Sequence, residues 1–376
     1  MASSKDRLSD AEIDRIYARE IRDAYLGGVE RASALTVVFV GGTPGSGKTN
    51  VMREVNAKLA ASAGEGVIVS GDDMREFHPG WRREARHDAH AALRFNPDAS
   101  RWVARLYRDA IAEGKNVVLE TSFRSFELLK ATAAAFRAAG YLVEATVVAA
   151  EADKTRRAVV GRFLDMQARG DPPRFVTAAV HDEAYRGLRA TLKAVEQTGL
   201  VDRVRVVTRD GQELYANAQE AGKWRKPAAA LEALDSERER RLTPTELAQN
   251  AVAWHALVAR AQLNPNTPRE VLDQAVAWRK DASHRALADP EAAKQYQRAL
   301  AGEAFRTLPR DQFLREFPTY AGAVERLEQA ARHASKHIAS VQDQQAFLDQ
   351  TRARLAEYIA EGRQFGRVKT EEPRSR

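Results

Sequence analysis

Short apolar runs alternate with stretches of helical spacing through the first half of the chain. Leu35-Thr36-Val37-Val38-Phe39-Val40, Gly66-Val67-Ile68-Val69, Asn116-Val117-Val118-Leu119, Tyr141 to Ala150 and Val204 to Thr208 are rich in β-branched residues and bounded by turn formers. They read as five strands. Their apolar character is continuous rather than alternating, as in parallel strands buried on both faces. Between them lie helical patterns. Residues 9–26 open on the capping pair Ser9 and Asp10 and place Ile13, Ile16, Tyr17, Ile21 and Leu26 on one face. Val51, Met52, Val55 and Leu59 mark a second helix, residues 99–113 a third, and the Ala-rich stretch 125–139 a fourth. This alternation predicts an α/β domain with a parallel sheet and helices on both faces. Ligands of such a sheet bind at the carboxyl ends of its strands.

The pattern changes near Lys223-Trp224-Arg225-Lys226-Pro227. Beyond it no strand pattern occurs. Pro244, Pro265, Pro268, Pro290, Pro309 and Pro318 punctuate Ala- and charge-rich helical stretches at places suited to helix starts and loops. The expected organisation is an α/β domain over residues 1–225, an all-α helical bundle of five or six elements over 226–367, and a polar tail at 368–376.

Composition narrows the setting. A chain of 376 residues with 44% hydrophobic and 30% charged side chains is expected to fold into two or three domains. Zero cysteines exclude disulfides, thiolate zinc sites and cysteine nucleophiles. No apolar run is long enough to span a membrane, and no apolar signal core opens the sequence, so a cytoplasmic location is expected. The net charge of +7 is spread over both halves rather than gathered beside aromatic residues, so nucleic acid is not the expected partner.

The chemistry is most legible at Gly42-Thr43-Pro44-Gly45-Ser46-Gly47-Lys48-Thr49, which fits the P-loop pattern between a strand and a helix. Its glycines let successive N–H groups face phosphate oxygens. Lys48 reaches the β- and γ-phosphates, and the Thr49 hydroxyl ligates Mg²⁺. ATP or GTP with Mg²⁺ is therefore expected. Asp72 follows the second strand, where a carboxylate can orient and deprotonate a hydroxyl nucleophile; the neighbouring Asp73 could serve instead, and a helix N-cap is the plainer reading of Asp72. Glu120 ends the third strand as a Walker-B-type acid, a substrate contact or an ordinary strand-end charge. Arg124 could hold a phosphate. His78 before Pro79 is expected to be a half-buried structural histidine. Arg156, Arg157, Arg162, Arg169 and Arg174 crowd around a Gly-Asp-Pro-Pro turn. If this is a lid for phosphoryl transfer, two of them should point inward.

Together, the leading helix, the cradle, Asp72 ahead of His78-Pro79 and the Glu120-x-Ser122-x-Arg124 sequence resemble the zeta toxin family, P-loop kinases of bacterial toxin–antitoxin systems. The resemblance covers about residues 8–220. It implies ATP-dependent phosphorylation of UDP-N-acetylglucosamine at the sugar 3′-hydroxyl. It further implies Asp72 as base, Glu120, Ser122 and Arg124 as substrate contacts, and Arg162 and Arg174 as lid arginines, with Arg169 competing for the second place. An antitoxin protein, or the helical half acting in cis, would be the inhibitor; the plainer expectation for the helical half is a docking or oligomerisation module. The fold alone also allows other acceptors (a dinucleotide, an antibiotic, a nucleoside) or a slow nucleotide-dependent binding module.

Overall fold

The computed structural model describes residues 7–85, 88, 90–363 and 365. The expected polar tail at 368–376 lies outside them. Contacts gather the chain into two compact units, one of residues up to Arg240 with Leu257–Val276, the other of Arg241–Ala256 with Ala277 onward. The first unit thus runs past residue 225 and takes in part of the helical half.

The first unit is built on a seven-stranded sheet. Its strands are β1 (Thr36–Gly41), β2 (Gly66–Val69), β3 (Asn116–Thr121), β4 (Leu142–Ala149), β5 (Arg203–Thr208), β6 (Glu213–Glu220) and β7 (Lys223–Trp224). The spatial order is β2-β3-β1-β4-β5-β6-β7. The first five are parallel, as their two-sided apolar character requires. Val37, Phe39, Val117, Leu119, Val143 and Val147 face one buried layer, shared with Trp102, Leu106, Phe136 and Leu188. Val38, Val40, Val118, Val148 and Val207 face the other, against Val51, Met52, Val55 and Leu59 of the helix Lys48–Ser62. Every large apolar side chain of β1 is thus spent on one of two cores.

The sheet departs from the all-parallel expectation at its far edge. After the turn Arg209-Asp210-Gly211 the chain doubles back, and β6 pairs antiparallel with β5 and β7 with β6. No crossover helix separates them, so a hairpin is the only connection the short loop permits. Asn217 anchors this edge: its amide donates to the Lys226 carbonyl at 2.9 Å and its oxygen accepts from the Lys226 N–H at 3.1 Å.

The helices follow their local signals. Ser9 and Glu12 form a capping box at the helix Asp10–Ile16, which continues through a π-turn at Tyr17–Ile21 to Arg22–Leu26. Ser125 caps the helix Phe126–Ala138 through the Leu128 N–H. The helix expected at 99–113 runs from Ala91 to Ala112 with Pro97 inside it. The helix Ala230–Glu239 has no capping side chain of its own. The Glu196 carboxylate supplies one from a neighbouring helix, accepting from the Ala230 and Leu231 N–H groups at 2.8 and 3.1 Å. A carboxylate there also opposes the positive end of the helix dipole.

The second unit is helical among its described residues. Pro290 opens the helix Pro290–Thr307 behind the Asp289 cap, Pro309 precedes Arg310–Glu316, and Ala321–His337 and Val341–Ala360 follow. Phe305, Phe313, Val324, Leu355 and Ile359 form its core, with the Phe305 and Phe313 rings 5.1 Å apart, edge to face. Prolines at helix starts here do what their fixed φ and missing N–H suit them for.

Candidate active site

A cavity of about 1110 Å³ opens at the carboxyl ends of β1, β2 and β3. The phosphate cradle forms its floor. Gly45 and Gly47 have φ of 83° and 93°, in the left-handed region where a Cβ is strained. A Cβ at Gly45 would also stand 2.3 Å from the Thr155 carbonyl oxygen. The loop is therefore held tightly from behind and must be glycine there. Lys48 donates to the Gly42 and Thr43 carbonyls at 2.8 and 3.1 Å and lies 3.5 Å from Glu120. Ser46 is buried, and its hydroxyl has no hydrogen-bond partner among the described residues.

Asp72 lies in the first turn of the short helix Gly71–Met74. Ser70, not Asp72, is the N-cap: its hydroxyl accepts from the Asp72 N–H at 3.2 Å. That leaves the Asp72 carboxylate free for other work. Arg75, one turn on, bonds to one of its oxygens. Arg174 and Arg162 approach the other at 3.1 and 3.7 Å. Burial pushes the Asp72 carboxyl up, but Arg75, Arg174 and Arg162 together outweigh it and hold the group well below the usual carboxylate range. Asp73 goes the opposite way. Burial pushes its carboxyl up, Arg174 only partly offsets this, and Glu120, Asp72 and Glu76 add to it. Two adjacent carboxylates are thereby driven apart in acidity.

The other candidates Glu120, Ser122, Arg124, Arg162, Arg169 and Arg174 all line the cavity and differ in what holds them. Glu120 lines the cavity and accepts a 2.5 Å hydrogen bond from the Ser70 hydroxyl. Ser122 and Arg124 line it as well, with Arg124 Nε donating to Ser122 Oγ at 3.2 Å. Between them Phe123 takes φ of 52°, and its buried ring fills the space beside Gly41. This uncommon backbone turns both flanking side chains toward the cavity. Arg174 is only 13% exposed and also holds Glu76 at 2.8 Å, whereas Arg169 is 62% exposed and pairs with Asp171. Arg156 pairs with Asp182 at 3.0 Å. Arg162 and Arg174 are thus the arginines of that crowded stretch that meet Asp72. His78 is buried rather than half-buried, its ring 4.2 Å from that of Phe95.

Three cationic groups were not anticipated. Arg75 could have been read from its i,i+3 spacing to Asp72. Arg209, just past β5, lines the cavity over Gly47. Arg238 gives no sequence signal: buried, stacked 3.8 Å from the Tyr185 ring, it donates to the Tyr185 carbonyl at 2.9 Å and reaches the Thr43 hydroxyl of the cradle at 3.4 Å.

The residues present suit a nucleoside triphosphate. Loop amides, Lys48, Arg75, Arg162 and Arg174 supply the positive field, and the Nε groups of Arg162 and Arg174 have no hydrogen-bond partner among the described residues. No cluster of three or more carboxylate or histidine ligands occurs among the described residues. Thr49 lines the cavity beside Lys48, and its hydroxyl is an oxygen donor of the kind Mg²⁺ would take alongside phosphate oxygens.

Comparison with known proteins points the same way. The model of the family described as Zeta toxin matches residues 23–220. Toxin zeta of Enterococcus hirae is 25% identical over 195 residues, which are 51% of this chain and 67% of that protein. Toxin PezT of Streptococcus pneumoniae serotype 4 is 23% identical over 214 residues, 55% of this chain and 81% of that protein. A solved structure from the PezAT chromosomal toxin–antitoxin system of Streptococcus pneumoniae shares the fold, with a TM-score of 0.56 at 19% identity over 67% of this chain and 99% of that one.

Proposed function

This chain belongs to the zeta toxin family of P-loop kinases, and from that premise we propose that it transfers the γ-phosphate of ATP to the 3′-hydroxyl of UDP-N-acetylglucosamine. The observation that carries the reading is the convergence of Arg75, Arg162 and Arg174 on Asp72 inside the cavity that also holds Lys48. A carboxylate ringed by guanidiniums at a phosphate cradle suits in-line phosphoryl transfer, where charge spreads over the transferred group.

In this reading the loop amides and Lys48 hold the β- and γ-phosphates, and Thr49 carries Mg²⁺, which neutralises phosphate charge when bound. Arg162 and Arg174 exchange Asp72 for the γ-phosphate as the nucleotide arrives. Asp72 orients the acceptor hydroxyl. The acceptor oxygen bonds to the γ-phosphorus as the bond to the β-bridging oxygen breaks, and the proton passes to Asp72 while ADP leaves. A weakly basic carboxylate suits a loose transition state, in which the nucleophile keeps its proton until late. Glu120, Ser122 and Arg124 contact the acceptor.

Depletion of a wall precursor makes the protein toxic to a growing bacterium, and its partner is an antitoxin protein. No described helix is long and apolar enough to cross a membrane. Incubating a bacterial metabolite extract with the protein and ATP, then weighing its nucleotide sugars by mass spectrometry, tests the acceptor. The expected result is UDP-N-acetylglucosamine heavier by one phosphate. A phosphate gained by a different metabolite, with the nucleotide sugar unchanged, overturns the acceptor while keeping the kinase.

A further inference from the structure

Arg174 belongs to a segment that cannot hold itself. The helix Ala152–Arg169 ends at Gly170, and residues 171–177 have no regular structure before the helix Ala178–Thr198 begins. Backbone groups in such a stretch need partners from elsewhere, or water, and water fixes no position. The partners come from residues 257–276, a helical hairpin made of the end of the helix Pro244–Leu263, a turn and the start of the helix Arg269–Ala288, which belongs to the same compact unit. Gln274 makes two bonds at once. Its Nε2 donates to the Val176 carbonyl at 2.9 Å, and its Oε1 accepts from the Ala178 N–H at 2.7 Å. At the other end of the segment, Gln167 Nε2 donates to the Asn266 carbonyl at 2.7 Å, and its Oε1 accepts from Asn264 Nδ2 at 3.0 Å. The hairpin turn is itself pinned, the Asn266 N–H donating to Asn264 Oδ1 at 3.0 Å.

We propose that Gln274 and Gln167 are positioning residues: the hairpin 257–276 grips the arginine segment at both ends and thereby holds Arg174 at the reacting centre. The inference rests on the kinase reading of the site and extends it, because the hairpin lies beyond the residues 23–220 that match the family model. The charged contacts nearby do less of the holding. Arg260 with Asp165 at 2.6 Å and His90 with Glu270 at 2.8 Å are exposed pairs, which contribute little in water. A primary amide, by contrast, offers a donor and an acceptor in one plane and can bind a strand-like backbone on both counts. Arg174 leaves the gripped segment two residues before Val176, so a slackened grip moves its guanidinium directly.

Two variants of the full chain test this. Gln274→Met keeps the length and removes both bonds; Gln274→Glu keeps the acceptor and loses the donor. Because misplacement by about an ångström costs up to roughly a hundredfold in rate, Gln274→Met should lower kcat about tenfold while leaving the KM for ATP near wild type. Gln274→Glu should fall between. Trypsin cleavage of the folded protein after Arg169, a readout independent of catalysis, should accelerate several-fold in the same order. A wild-type value for either kcat or cleavage in a folded Gln274→Met protein overturns the proposal, whatever happens to its Tm. If the wild-type protein transfers no phosphate at all, the kinase reading falls, and the cleavage comparison alone then decides whether the hairpin grips the segment.

Discussion

The phosphate cradle and the arginine segment meet at the same cavity but are made in opposite ways. The cradle is local. Eight consecutive residues, running from the end of β1 into the first turn of the helix Lys48–Ser62, carry it, and two left-handed glycines, Gly45 against Thr155 and Gly47 against Arg209, fix its shape. The arginine segment is assembled. Its regular structure stops at Gly170; the Gln274 side chain, 98 positions away, ties down its backbone at Val176, and Gln167 just ahead of it reaches the Asn266 carbonyl, 99 positions away. A binding site for something as constant as a triphosphate can be built from one rigid motif. In the proposed reaction Arg174 leaves Asp72 for the transferring phosphate, and it sits on a segment whose order depends on other parts of the chain.

The sharpest way to break the contrast is to remove one charge from each side of it. Lys48→Ala should abolish transfer and weaken ATP binding, because the lysine meets the nucleotide in the ground state as well as the transition state. Asp72→Ala should lose at least about a hundredfold in kcat yet bind ATP nearly as well as the wild type. Turnover assays paired with calorimetric titration check both. Normal ATP affinity in Lys48→Ala contradicts the cradle assignment.

Gly45→Ala tests the rigidity of the cradle. The added Cβ meets the Thr155 carbonyl at 2.3 Å in a backbone with φ of 83°, a strain of about 1–3 kcal/mol. ATP affinity and Tm should both fall, and a wild-type Tm would mean the loop is softer than described. On the assembled side, Arg174→Ala should cost about a hundredfold in kcat, in the range of a lost transition-state donor. Arg169→Ala should change little, since that side chain, though it lines the cavity, is 62% exposed and paired with Asp171. The reverse order would make Arg169, not Arg174, the second lid arginine.

A smaller and finer effect is the pH dependence. Asp72 is held below the ordinary carboxylate range, so it stays ionised until strong acid, and any stability it contributes is present above its unfolded pKa and lost only as pH falls through the lower folded value. Asp73 is raised, so folding favours its protonated form and its ionisation near neutral pH costs stability. If Asp72 is the base, the acid limb of kcat/KM lies below about pH 4, the ordinary aspartate range. An acid limb above that range which vanishes in Asp73→Asn transfers the role to Asp73.

Much of this was legible in the sequence, in proportion to how local it is. The cradle, the five parallel strands and the carboxylates at the ends of β2 and β3 follow from contiguous patterns whose physics is complete within a dozen residues. The edge strand β6 gives little signal because Ala216, Asn217 and Ala218 are poor strand formers; its ladder with β5 holds it, and side-chain bonds from Asn217 to Lys226 add to that. Five crowded arginines could be seen, but which two turn toward Asp72 depends on packing that no spacing encodes. Arg238 is the extreme case, since it meets Thr43 from 195 positions away. Gln274 likewise looks like any polar residue of a helix until the backbone it binds is placed beside it.

The central claim is that Asp72, its arginines and the cradle act together as a kinase of a sugar hydroxyl. Phosphorus NMR of the purified protein with ATP, Mg²⁺ and UDP-N-acetylglucosamine tests it most directly. A new phosphomonoester signal should appear on the nucleotide sugar, growing in step with ADP and absent with Asp72→Ala. ADP appearing only with inorganic phosphate, or a phosphomonoester that forms equally well without Asp72, would contradict it.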